Sequence, residues 1–183
     1  MSDASSLAPI AAEPSRGEQA AAFIAAQLAG DFGASIQERR IVLLGSLPRP
    51  PVTAVCALPG RFAWDERVRL CARLLRSGVQ LVLLDSPRSR LLIEALLPLA
   101  ADGHGRWQGG CLLERDLSTA CRDAAALLVL PGWRQPPSLP WRALAGRMRP
   151  QALMFDLRRD PAQPPPDASG LRVWRMGVCA VWG

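Results

Sequence analysis

Five side chains stand at or just past the ends of apolar runs: Arg49, Asp85, Trp133, Asp156 and Arg158. Their types suit recognition of a phosphate-bearing small ligand, because the planar guanidinium fork matches phosphate oxygens. In an open α/β sheet, residues just past the carboxyl ends of the strands line the ligand crevice. Arg159 follows in the same run. Arg158 has two readings: a buried guanidinium gripping a phosphate, or a surface partner of Asp156 or Asp160.

Other chemistries find little support. No Gly-x-Gly-x-x-Gly follows the first apolar run, and the chain has no Lys, so a P-loop or a Schiff base is set aside. No Gly-x-Ser-x-Gly elbow is present. His104, in DGHGRWQGG, reads as a solvated loop histidine, with a catalytic role as the alternative. Cys111 reads as a partly buried structural thiol, with a nucleophile as the alternative. No catalytic residue is therefore assigned. The five cysteines are Cys56, Cys71, Cys111, Cys121 and Cys179; none has C-x-x-C spacing and the chain has one His. A zinc site is not expected, and neither is another metal or cofactor. Free thiols in a reducing cytosol fit the odd number, so a cytoplasmic location is expected.

Continuous apolar runs at Arg40–Gly45, Val79–Asp85, Ala125–Leu130 and Ala152–Asp156 must hold these residues in place. Runs without alternation imply strands covered on both faces, the habit of parallel sheets. Leu171–Met176 alternates apolar and Arg, which predicts an edge strand with one wet face. Helical patterns lie between them, at 17–29, Asp65–Arg76, Arg88–Ala100, Leu117–Asp123 and Trp141–Met148. Phe23, Ile24 and Leu28 share one face of the first. Ser77-Gly78 ends the second, and Pro140 opens the last. The expected fold is α/β and Rossmann-like. It is a doubly wound, mainly parallel sheet of five to six strands with helices on both faces. Residues 1–15 read as a disordered tail and 16–183 as one domain. Ser46–Gly60 is a long connection at the end of the first strand, and Asp160–Gly170 a Pro-rich connector.

The apolar fraction is 49% and aromatics are only 5%, so the core is Leu, Val, Ala and Ile. The net charge is +6, carried on Arg alone. Lys, Asn and Tyr are all missing, as a GC-rich coding sequence would produce. The Arg residues are scattered rather than interleaved with aromatics, so nucleic acid is not the expected partner. No run is long enough for a membrane span, and Met1–Glu13 lacks the features of a signal peptide.

In this order, RIVLLG, LLRSG, VQLVLLD, DAAALLVLPGW, ALMFDLRR and LRVWRMG are similar to the C-terminal domain of the UDP-glucose/GDP-mannose dehydrogenase family. The resemblance covers roughly residues 17–178, as a stand-alone, degenerate copy. It implies a UDP-sugar-binding domain, with 17–29 as the end of the helix that joins it to the rest of the enzyme. The family's Gly-x-Ala-[Phe/Tyr]-Lys reads Gly45-Ser46-Leu47-Pro48-Arg49 here. Its Asp-Gly-Arg reads Asp156-Leu157-Arg158, where Leu157 threatens close ligand approach. Gly109-Gly110-Cys111-Leu112 imitates the family's nucleophile loop but stands in the wrong domain. The NAD-binding and catalytic domains have no counterpart, so catalysis by this chain alone is not expected.

Two functions follow. One is a UDP-sugar-binding module accessory to polysaccharide or nucleotide-sugar metabolism. The other is a degenerate, non-binding interaction domain, as a homodimer or with a larger enzyme. Trp64, Trp133 and Trp141 would then be surface anchors, against their alternative reading as core fillers.

Overall fold

The structure is a computed structural model describing residues 16–33, 36–45, 66–100, 109–130, 133, 139–158 and 170–175. The expected tail, both irregular connections, Arg49, Arg159, His104, Trp64, Cys56 and Cys179 lie outside the described residues, apart from Gly170 at the connector's end.

The elements run α1 (Arg16–Phe32), β1 (Arg40–Leu44), α2 (Glu66–Arg76), β2 (Gln80–Leu84), α3 (Pro87–Ala100) and β3 (Gly110–Glu114). They continue as α4 (Leu117–Ala120), β4 (Ala126–Val129), α5 (Trp141–Ala145), β5 (Leu153–Asp156) and β6 (Arg172–Arg175). The six strands form one sheet in the order β3-β2-β1-β4-β5-β6, every pair parallel. Strand order reverses between β1 and β4, where a doubly wound sheet opens its crevice.

Apolar side chains divide between two faces, which explains the unalternated runs. On one face Ile41, Leu43, Leu81, Leu83, Leu128 and Phe155 pack with Ile24 and Leu28 of α1, Leu70 and Leu74 of α2, and Leu92 of α3. On the other, Val42, Val82, Leu127, Val129 and Met154 meet Ala120 of α4 and Trp141 and Leu144 of α5. The chain is thus a doubly wound α/β domain with helices on both faces. Among the described residues, no helix is long and apolar enough to cross a membrane.

β3 is a strand that the apolar-run criterion did not place. Its five residues begin at the second glycine of a Gly-Gly pair and read GCLLE, too short and too mixed to stand out. Register against β2 supplies what propensity lacks: Leu81 pairs with Cys111 and Leu83 with Leu113.

Glycine is required where α1 crosses α2. A Cβ at Gly17 would collide with the backbone carbonyl of Glu66, and the Gly17 N–H donates to Glu66 Oε2 at 2.6 Å. At the end of β1, Gly45 has φ +125°, and a Cβ there would lie 2.8 Å from Leu130 Cβ. The sheet therefore closes tightly at the strand-order reversal.

Candidate functional site

The site is built at the carboxyl ends of β4 and β5. Asp156 is the last residue of β5 and pairs in register with Val129 of β4. The chain then steps through Leu157, whose N–H donates to the Val129 carbonyl at 3.0 Å. That step turns Leu157 into the α1–α3 face, where it is 1% exposed. The expectation that Leu157 would obstruct a ligand is corrected: strand alternation sends it away from Asp156 and Arg158.

Arg158 returns beside Asp156 and meets it side-on. Its Nε donates to Oδ1 at 2.8 Å and its Nη2 to Oδ2 at 2.6 Å. The Arg158 backbone N–H also donates to Oδ1, at 3.1 Å. Both side chains are buried, 7% and 1% exposed. Arg158 is buried, as the phosphate reading expects, and it pairs with Asp156, but inside the fold rather than on the surface, which corrects the surface-pair reading. Such a pair is costly to desolvate and is retained only with good geometry, which three hydrogen bonds to one carboxylate supply.

Aromatic rings complete the cluster. The Trp133 ring lies under the guanidinium, centroid to Cζ 5.4 Å, so its negative face adds to the pairing. Trp133 meets Trp141 edge-on, centroids 6.3 Å apart at 69°. Trp133 is half-buried, whereas Trp141 is buried at 5% and belongs to the core. The reading of Trp141 as a surface anchor is corrected: α5 turns it inward, into the buried cluster that also holds Val129 and Met154. Leu139, Pro140, Trp141, Arg142 and Ala143 line an open, mainly apolar hollow of about 600 Å³ at the start of α5.

Asp85 stands apart. It follows β2, three strands from β5, which amounts to about 14 Å at the usual inter-strand spacing. Arg90 of α3 engages it through Nε and Nη2, both at 3.0 Å, with the arginine side chain 64% exposed. The Arg90 hydrogen bond, with the charges of Arg90 and Arg115, holds the Asp85 carboxyl below its ordinary 3.8. Ser86 sets this geometry: its Oγ accepts from the Ser89 N–H at 3.1 Å, capping α3 ahead of Pro87. Of the five sequence candidates, the structure gathers Trp133, Asp156 and Arg158, separates Asp85, and leaves Arg49 undescribed. Arg90 was missed. Its spacing from Asp85 in Asp-Ser-Pro-Arg-Ser-Arg, across a helix cap, was the available signal.

Two of the described thiols, Cys111 and Cys121, are not poised for chemistry. Burial pushes Cys111 up to about 11 and Cys121 up to about 12. Cys111 packs against the α1–α3 core as a half-buried β3 side chain, in keeping with a structural thiol. Among the described residues, no group of His, Cys, Asp and Glu could hold a metal ion.

No family model matches this sequence, and no curated protein matches it. Solved structures do. The crystal structure of a mitochondrial ornithine carbamoyltransferase from Coccidioides immitis aligns with 87% of this chain at 12% identity and TM-score 0.52. The chain spans about half of that protein, 50% of its length. The likeness is one of fold: both are doubly wound α/β structures.

Proposed function

We propose that the chain is a binding module for a nucleotide sugar, of the UDP-sugar class. It serves cytoplasmic polysaccharide or nucleotide-sugar metabolism as an accessory. The observation that carries this reading is the Asp156–Arg158–Trp133 cluster at the carboxyl edge of the sheet, where doubly wound folds take their ligands. Asp156 engages two of the five guanidinium N–H groups. Arg158 would then act as an oriented donor to a phosphate oxygen, and half-buried Trp133 as an apolar wall. Because Asp156 offsets the charge, affinity should depend only weakly on ionic strength.

Titration calorimetry with UDP-glucose, UDP and GDP-mannose tests this. Saturable binding in the micromolar to millimolar range, lost in Trp133→Ala, is expected. No heat with any of the three at millimolar ligand would overturn it.

One observation favours a second reading, the non-binding interaction domain. Arg158 is already neutralised by Asp156, and the nearby hollow at Leu139–Ala143 is apolar. This reading expects no ligand heat, together with co-purification of one defined protein from the native host.

A further inference from the structure

We propose that the open edge of β3 joins two copies of this chain, their β3 strands pairing antiparallel about a two-fold axis. The argument begins with the edge itself. Among the described residues β3 pairs only with β2. Leu112 and Leu113 point to opposite faces and are 38% and 39% exposed. An edge strand that is apolar on both faces at its centre, with no proline and its one charge, Glu114, at the far end, invites a further strand.

Backbone direction fixes which residues can pair. The Gly110 N–H donates to the Val79 carbonyl, and the Glu114 carbonyl accepts from the Asp85 N–H. The even-numbered residues of β3 therefore bond inward to β2, and Cys111 and Leu113 turn their backbone groups to the open edge. A two-fold axis through Leu112 sets Cys111 opposite Leu113 of the second copy, and Leu113 opposite its Cys111. These are the outward residues, so about four backbone hydrogen bonds form. Leu112 meets Leu112 of the second copy as a close, non-hydrogen-bonded pair with Cα atoms about 4.5 Å apart.

Charge selects the same register. Glu114 falls opposite Gly110 of the second copy and Arg115 opposite its Gly109. No charge then meets a like charge or an apolar side chain. Glu114 already leans back along its own sheet toward Arg40, Nη2 to Oε1 3.5 Å. Sliding by two residues puts Glu114 or a glycine opposite Leu112. The segment is thus complementary to itself, which is what a two-fold interface demands. β6, at the other edge, exposes Arg172 and Arg175 and is blunted against the same contact.

Sedimentation of the full chain across a concentration series tests this, with folding checked by circular dichroism. Wild type should form a dimer. Leu112→Lys should raise its dissociation constant about a hundredfold, since two buried leucines are lost and two like charges face each other. Val173→Lys, on the β6 edge, should leave it unchanged. Leu112→Cys should form a reducible covalent dimer on mild oxidation, where wild type, with its own five cysteines, does not. A wild type that stays monomeric would overturn the proposal, as would a dimer sensitive to Val173→Lys but not to Leu112→Lys. Should Leu112→Lys not fold, Leu112→Cys decides, and failure to cross-link counts against the β3 interface.

Discussion

Two aspartate–arginine pairs close two strands of this sheet, with the same chemistry and opposite surroundings. Asp85–Arg90 ends β2 in solvent, and Asp156–Arg158 ends β5 against the Trp133 ring, with side chains at most 7% exposed. In both, one carboxylate takes the Nε and one Nη of one guanidinium. The difference is water. Around Asp85, solvent already satisfies each ion, and the pairing adds little. Around Asp156 it does not, so each ion depends on the other, and removing one is far worse than never having had both.

The largest effect should come from Asp156→Ala. It strands a buried guanidinium and should cost about 3–5 kcal/mol in denaturant unfolding. That is a large share of the 5–15 kcal/mol typical of a domain. A loss below about 1 kcal/mol would show that water reaches the pair. Replacing both partners, as Asp156→Leu with Arg158→Met, should restore stability to within about 2 kcal/mol of wild type. A double variant as unstable as the single one would mean that the Asp156 bond to the Arg158 backbone, rather than the ion pair, carries the site. Trp133→Leu keeps the apolar contact and removes the ring face. It should lower stability by about 0.5–2 kcal/mol, measured the same way.

The exposed pair should respond to acid instead. Asp85 is held below 3.8, so its folded-state carboxyl binds protons less readily than the unfolded one. Its stabilisation is fully present above the unfolded value and disappears as pH falls through the lowered folded value. Asp85→Asn should therefore lower the melting temperature slightly at pH 7, where the pair is intact, and converge on wild type as pH falls below the lowered folded value. It should flatten the acid end of the stability curve, more so at low salt. The smallest effect concerns the thiols. With Cys111 near 11 and Cys121 near 12, neither should react appreciably with iodoacetamide at pH 8 until the protein is unfolded. Rapid native labelling at Cys111, found by peptide mass, would contradict its burial against the α1–α3 core.

Strand legibility followed burial. β1, β4 and β5 are covered on both faces, and their apolar runs RIVLL, ALLV and LMFD stood out without help. β6 announced itself as an edge by its two arginines, although Val173 and Trp174 are adjacent and fall on opposite faces, so each face carries one Arg rather than one face being wet. β3 is the open edge on the other side, and neither pattern marks it. Its leucines at 112 and 113 are adjacent, so they fall on opposite faces and read as a fragment of loop. For the site, composition pointed to Arg158 and Trp133 at strand ends. The partner of each arginine depended on a side chain's direction, which local sequence does not carry.

Residue order alone determined that this chain builds a parallel sheet between two helical layers, because only double-sided burial tolerates strands with no polar alternation. It also determined that chemistry needing lysine cannot occur here. Tertiary structure decided the rest. It sent Leu157 to one face and Arg158 to the other, dried one ion pair and left the other wet. Those outcomes depend on which strand lies next to which, and that is settled by packing across the whole sheet rather than by any local run of residues.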